Sequence, residues 1–306
     1  MNSKRIVIAG GSGFIGRALA QEFSAQNFEV VILTRTPRAR TDNIREVEWD
    51  GKHIGEWIQN LDDAEAVINL TGKNINCPHT PENLSAIIAS RVDSVVAIEA
   101  ALAHVKIPPR VWVQASAIGF YDDTGSNYAD ENSPAGHDAL AKVCQQWEDV
   151  FNHAAAPKTR KVALRIGFVL GRDGGALPVL SKLTKWFLGG AVGSGRQYIS
   201  WIHLADLVQM FVFVVKQEKL TGTFNAVAPD AITNADFMRE LRRVLNRPWC
   251  PPAPEFAVRF GAWLMKSEPS LALISQRCVP KIFLEMEFQF QFPQLRGALE
   301  NLCREK

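Results

Sequence analysis

Seven residues near the start of the chain, Gly10-Gly11-Ser12-Gly13-Phe14-Ile15-Gly16, have the composition and spacing to hold a diphosphate. They follow the apolar run Ile6-Val7-Ile8-Ala9 and open a segment of helical period, the context in which a glycine turn of this kind binds a dinucleotide. Gly10 permits the tight turn, and Gly13 removes a side chain that would keep backbone N–H groups from a pyrophosphate. Gly16 lets the helix pack closely on the strand. The residue type at the end of the second strand selects the dinucleotide, because an Asp or Glu there accepts hydrogen bonds from the ribose hydroxyls of NAD. This chain has Thr34-Arg35 instead. A guanidinium pairs bidentately with a 2′-phosphate and stacks on adenine, and Thr34 can donate its hydroxyl proton. The predicted cofactor is therefore NADP(H), held by Gly10, Gly13, Phe14, Ile15, Gly16, Thr34 and Arg35. Arg38 and Arg40 add positive charge nearby and read equally well as solvated loop residues.

Positioning such a turn requires a parallel sheet, and the hydropathy pattern supplies one. Up to about residue 170, short β-branched runs alternate with segments of helical period. The pattern predicts strands over Arg5–Ala9, Glu29–Thr34, Ile44–Glu48, Glu65–Leu70, Arg110–Ser116 and Lys161–Ile166, with helices over Phe14–Ala25, Thr80–Ala103 and Asp138–Ala155. Further on it predicts a buried helix over Ala205–Lys216, a strand over Thr223–Val227 and a mainly helical region from Thr233. Gly119 to His137, rich in Asp, Gly, Asn, Ser and Pro, reads as a long surface loop of the kind that borders a site. The expected fold class is α/β: a Rossmann-type doubly wound parallel sheet with a smaller, mainly helical C-terminal substrate domain. The expected boundaries are 1–170, completed by 203–228, for the NADP-binding domain, and 171–202 with 229–306 for the substrate or lid domain.

Bulk properties narrow the partner. With 306 residues and 47% hydrophobic content the chain can bury a large core. Its 34 basic and 32 acidic residues leave a formal charge of +2, and no basic run with interleaved aromatics offers a nucleic-acid groove. A small-molecule substrate is expected, with no nucleic acid and no membrane. Cys77, Cys144, Cys250, Cys278 and Cys303 form no CxxC pair or metal-ligand spacing, and their odd number argues against a disulfide framework. No metal site is expected. The N-terminus lacks the pattern of a secretory signal, and the apolar stretch Met210 to Val215 is too short to span a bilayer. Together with free thiols, this suggests a cytoplasmic location.

Three motifs in order carry a family resemblance: the glycine turn, Asn69-Leu70-Thr71-Gly72 after the next long strand, and Ala115-Ser116-Ala117 after the one following. With these the chain resembles the extended short-chain dehydrogenase/reductases. Leu164-Arg165-Ile166-Gly167-Phe168-Val169-Leu170-Gly171, Gly193-Ser194-Gly195-Arg196-Gln197 and Trp201-Ile202-His203-Leu204-Ala205-Asp206 narrow this to the NAD(P)-dependent epimerase/dehydratase-like branch. The stretch from Val279-Pro280-Lys281 to Leu295-Arg296-Gly297-Ala298-Leu299 is similar to the small C-terminal domain of its "epimerase family" subgroup. The resemblance covers essentially the whole chain. It implies that Leu70, Thr71 and Gly72 pass beneath the dinucleotide and that Arg91 reaches it, although Arg91 reads equally well as a surface helix arginine.

The resemblance also implies a proton donor: a Tyr four residues before a Lys on one helical face, with a Ser after the preceding strand to orient the substrate oxygen. Ser116 is present, but Leu140 and Cys144 stand where the Tyr and Lys belong. Lys142 lies about 200° around the helix from Leu140, on a different face. Tyr121, five residues after Ser116, is the candidate replacement donor, or else packs with Phe120. A thiol at Cys144 is a weaker candidate than a buried, inert one. His203 and Asp206 read as structural, and Arg196 suits either an anionic substrate or a surface. Two functions remain open. One is an NADP(H)-dependent oxidoreductase or isomerase with Ser116 and Tyr121 at its catalytic site, acting on a small carbonyl or hydroxyl compound. The other is a non-catalytic NADP(H)-binding sensor or interaction protein.

Overall fold

The computed structural model describes residues 4–40, 42–264 and 268–304. The ends of the two expected domains, 1–3 and 305–306, lie outside the described residues. The strands among them are β1 (Arg5–Ala9), β2 (Glu29–Thr34), β3 (Ile44–Glu48), β4 (Ala64–Asn69), β5 (Val111–Ala117), β6 (Arg160–Ile166), β7 (Phe168–Leu170), β8 (Tyr198–Ile199), β9 (Trp201–His203), β10 (Gly222–Ala226) and β11 (Ile232–Thr233). The helices are α1 (Phe14–Ala25), α2 (Pro81–Leu102), α3 (Ala139–His153), α4 (Leu177–Lys185), α5 (Leu204–Lys216), α6 (Asn234–Val244), α7 (Glu255–Leu264), α8 (Ser270–Leu273), α9 (Lys281–Glu285) and α10 (Leu295–Cys303). Single 3₁₀ turns occupy Glu56–Asn60 and Ile118–Tyr121.

Seven strands form one sheet in the order β3-β2-β1-β4-β5-β6-β10, and every pair is parallel. This is a Rossmann-type α/β fold. Its strands are apolar on both faces because helices cover both. Ile6, Ile8, Ile32, Ile68 and Val113 face a layer built with α1 and α5, whereas Val7, Val31, Val67 and Trp112 face α2 and α3. Chain direction across the sheet reverses between β1 and β4, so the connections leaving their carboxyl ends diverge and open a crevice there. The glycine turn and the Asn69-Leu70-Thr71-Gly72 segment are the two walls of that crevice.

A separate apolar cluster joins Leu170, Leu177, Trp201, Phe237, Leu241 and Leu299, contributed by β7, α4, β9, α6 and α10. Two small sheets stitch this part together: β7 pairs parallel with β9, and β8 antiparallel with β11. Neither pairing is expected from sequence, since two- and three-residue strands are too short to show a period. The predicted surface loop from Gly119 also differs in part. Its start folds into the 3₁₀ turn, with Ile118 and Tyr121 buried, and Ala129 is buried where it bridges to Cys278. The cause is the C-terminal region: Thr124 N–H donates to Ser275 O and Ala129 N–H to Arg277 O, which ties the loop down along its length. Among the described residues no helix is long and apolar enough to cross a membrane. No group of three or more His, Cys, Asp or Glu among them could hold a metal ion.

Candidate active site

The crevice is shaped by close approach of backbone. Gly10 has φ +73, and a Cβ there would lie 3.1 Å from the Leu70 carbonyl carbon and from Thr71 N. At Gly16 it would lie 2.5 Å from Gly11 Cα, so α1 can enter against the turn only without a side chain. A Cβ at Gly13 would meet only Gly10 O, at 3.5 Å, leaving open space on the crevice side. Gly13 caps α1 without a side-chain bond, which leaves the first-turn amides of Phe14 and Ile15 as donors for an anion. The Phe14 ring is covered by the loop after β7, since a Cβ at Gly171 or Gly174 would come within 2.3 Å of it.

The opposite wall is set by a buried amide network. Asn69 Nδ2 donates to Ser94 Oγ and to Gln114 Oε1, each at 3.0 Å, and its Oδ1 accepts from Thr71 N–H at 3.0 Å. All three side chains are fully buried. The Thr71 hydroxyl beside them is buried and has no partner. Thr71 Oγ1 and the open side of Gly13 are what a bound dinucleotide would satisfy, so these residues fit NADP(H). Arg91 lies beneath this wall: Nη1 donates to Lys73 O at 3.1 Å and Ile87 O at 3.0 Å, and the guanidinium sits 4.9 Å from the Trp147 ring centroid. Burial lowers its pKa. In this position Arg91 shapes the Gly72-Lys73 backbone from below.

At the end of β2, Thr34 donates to Ser12 Oγ at 3.1 Å, linking the second strand to the glycine turn. Arg35 is exposed, and no other described residue engages its guanidinium. A second cation emerges here. Arg17, on the first turns of α1, donates Nη1 to Ser12 O at 2.8 Å, so Ser12 is held from both sides at the mouth of the crevice. Arg40 is instead occupied by Asp42 and Glu46.

The carboxyl ends of β5, β6 and β10 carry a buried charged network. Ser116 Oγ donates to Glu148 Oε1 at 2.5 Å. Arg165 Nε and Nη2 donate to Glu148 Oε1 and Oε2 at 2.9 and 2.8 Å, a bidentate pair. Arg165 Nη1 donates to Tyr121 Oη at 2.8 Å, and Tyr121 donates to Asn225 Oδ1 at 2.7 Å. Ser116, Tyr121, Glu148, Arg165 and Asn225 are all buried. The Arg165 guanidinium also lies 3.4 Å from the Phe120 ring centroid.

This geometry corrects the expectation for Tyr121. Its one proton is given to Asn225, and burial raises its pKa, so the phenol is a member of the core network and not a donor aimed at the crevice. Ser116 is redirected as well, because its proton goes to Glu148. Leu140 and Cys144 pack at the end of β5: a Cβ at Gly119 would lie 3.8 Å from Leu140 Cβ and 3.7 Å from Cys144 Sγ. Burial pushes the Cys144 thiol up to about 12, which removes it from acid–base work near neutral pH. Lys142 is exposed on the far side of α3, and Arg196 is exposed in its loop. His203 caps α5, with Nδ1 accepting from Ala205 N–H at 3.0 Å, and Asp206 accepts from Gln291 N–H and Phe292 N–H at 2.7 and 2.9 Å. Both are structural.

Sequence reasoning missed Glu148, Arg165, Asn225 and Gln114 as site-shaping residues. A signal existed. Arg165 interrupts the apolar run Val162-Ala163-Leu164…Ile166 in β6, and Glu148 falls on the same face of α3 as Cys144, Trp147 and Phe151. A buried charge on a strand demands a buried partner of opposite sign.

Comparison with known proteins places these features. Residues 6–226 match the NAD dependent epimerase/dehydratase family, and residues 253–302 match a domain of unknown function, DUF1731. The "Epimerase family protein SDR39U1 homolog, chloroplastic" of Arabidopsis thaliana is 34% identical over 305 residues, covering 98% of this chain and 86% of the relative. An epimerase family protein of Mycobacterium leprae is 35% identical, covering 96% and 94%. Among solved structures, the human epimerase family protein SDR39U1 (isoform2) with NADPH superposes with a TM-score of 0.87 at 30% identity, covering 97% of this chain and 98% of that one.

Proposed function

The chain belongs to the NAD dependent epimerase/dehydratase family, and from that premise we propose that it is an NADP(H)-dependent oxidoreductase or epimerase-like enzyme acting on a small carbonyl or hydroxyl compound. The observation that carries the cofactor is the unengaged Arg35 beside a crevice whose Thr71 hydroxyl lacks a partner. The human relative solved with NADPH supports the same choice. Gly10, Gly13, Phe14, Ile15 and Gly16 hold the diphosphate, while Thr34, Ser12 and Arg35 surround the 2′-phosphate. Leu70, Thr71 and Gly72 line the path toward β5, with Arg91 supporting them from below. NADP(H) supplies the hydride chemistry when bound.

Ser116 orients the substrate. With its proton committed to Glu148, Ser116 Oγ offers lone pairs only, so it accepts from a substrate hydroxyl and cannot protonate a carbonyl oxygen. Glu148 and Arg165 fix that polarity. The substrate proton is exchanged with water, and the lack of a positioned acid costs about 10²–10⁴ in rate. Sugar-nucleotide epimerisation of the usual kind is disfavoured, because Leu140 stands where its base belongs.

One observation favours a second reading: both hydroxyl protons of the network, on Ser116 and Tyr121, are already given to acceptors within the protein. That suits a protein which binds NADP(H) without turning it over. The discriminating experiment follows NADPH absorbance in wild type and Tyr121→Phe against a broad panel of carbonyl compounds. Turnover that survives Tyr121→Phe supports the enzyme. No turnover, with tight and slowly exchanging NADPH, supports the sensor.

A further inference from the structure

Outside the dinucleotide crevice, α4 and the end of α10 border an open hollow of about 380 Å³, within the size range of small-ligand sites. Arg172, Lys182, Lys185 and Arg304 line it, and among the described residues no acidic side chain does. The compensation of these cations is incomplete. Arg304 pairs with Glu300 at 3.3 Å, and Arg172 Nη2 donates to the carbonyls of Asn301 and Arg304 at 2.8 and 3.4 Å. Lys182 and Lys185, exposed on the last turn of α4, have no hydrogen bond or ion pair to any described residue. Lysines there complement the helix dipole, but that placement does not require them to converge with two arginines around a hollow. Like charges gathered at a concave, partly apolar surface raise the local concentration of anions.

The remaining lining defines the rest of the ligand. Leu177, Leu245 and Leu302 give an apolar floor, and Trp186, 72% exposed, stands at the rim with an open indole face. Ser181 Oγ lies 3.8 Å from Cys303 Sγ on the wall between them. Charged donors beside an apolar floor and an aromatic rim match a phosphate ester whose organic part is apolar or aromatic. We propose that this cavity is a second ligand site, for an organic phosphate, distinct from the NADP(H) crevice. It backs onto that crevice through Gly171, which packs on the Phe14 ring.

The test uses the full chain saturated with NADPH, so that the 2′-phosphate and diphosphate positions are already filled. Phenyl phosphate and inorganic phosphate are titrated by calorimetry. Phosphatidylcholine vesicles with and without phosphatidylglycerol are tested by co-sedimentation, which separates a soluble ester from a lipid headgroup as the source of the phosphate. Phenyl phosphate should bind more tightly than inorganic phosphate. Lys182→Glu with Lys185→Glu should weaken binding of the preferred phosphate about tenfold or more while NADPH affinity stays unchanged. Lys216→Glu with Lys219→Glu, an equal change of charge at the last residue of α5 and in the loop after it, should leave phosphate binding within about twofold. On the wild-type protein, phenyl phosphate should also protect Lys182 and Lys185 from acylation as read by mass spectrometry. Absence of binding to either kind of phosphate at millimolar concentration overturns the proposal. So does equal weakening by the two lysine pairs, or labelling of Lys182 and Lys185 that the ligand does not alter.

Discussion

Glu148 shows what a buried charge does in this molecule. It accepts from Ser116 and twice from Arg165, and in doing so it turns a serine that would serve as a donor into an acceptor. Removing one partner of such a pair leaves the other charged and desolvated. Glu148→Ala should therefore cost about 3–5 kcal/mol, measured by denaturant unfolding, whereas replacing both Glu148 and Arg165 by apolar residues of similar size should recover much of that loss. Tyr121→Phe is milder. It strips Arg165 Nη1 and Asn225 Oδ1 of one partner each and should cost about 1–3 kcal/mol in the same measurement. It should leave NADPH affinity unchanged, because the phenol does not face the crevice. A loss of NADPH binding in Tyr121→Phe would place that hydroxyl at the cofactor after all.

Among the elements, α1 and α5 carry the most direct tests. At Gly16 a methyl group would meet Gly11 backbone at 2.5 to 2.7 Å, which neither chain segment can relieve by rotating a side chain. Gly16→Ala should push α1 away from the turn and abolish NADPH binding by calorimetry while the rest of the sheet remains folded by circular dichroism. At the N-cap of α5, burial holds His203 down to about 4 from its ordinary 6.5, so the folded state refuses a proton that the unfolded chain accepts. The stability linked to this histidine is fully present above about 6.5 and is lost as pH falls toward about 4. His203→Asn keeps a cap acceptor for the Ala205 amide without titrating. Its unfolding free energy should fall less than that of wild type across this window, and parallel curves for the two proteins would refute the assignment. The elements themselves were legible where burial on both faces makes a strand one continuous apolar run, as in Ile6-Val7-Ile8 and Val30-Val31-Ile32-Leu33. They were illegible where a strand is two residues long, as in β8 and β11, whose pairing depends on Ile199 meeting Ile232 across more than thirty positions of chain.

Seen whole, the molecule divides its site between what is local in sequence and what is not. The proposed cofactor half rests chiefly on one contiguous turn and one strand end, so Gly10 to Gly16 and Thr34-Arg35 could be nominated from spacing alone. The other half draws Ser116 with Tyr121, Glu148, Arg165 and Asn225 from four separate places in the chain, and only the folded sheet brings them together. A candidate donor chosen by proximity in sequence, Tyr121, consequently proved to belong to the core. We propose that the crevice is an NADP(H) site whose choice of dinucleotide is set by Arg35. Parallel titrations of wild type and Arg35→Asp with NADPH and NADH measure this directly. Wild type should prefer NADPH, and loss of the guanidinium with gain of a carboxylate should cut that preference by about ten- to a hundredfold or more. An NADPH to NADH affinity ratio unchanged by Arg35→Asp would contradict it.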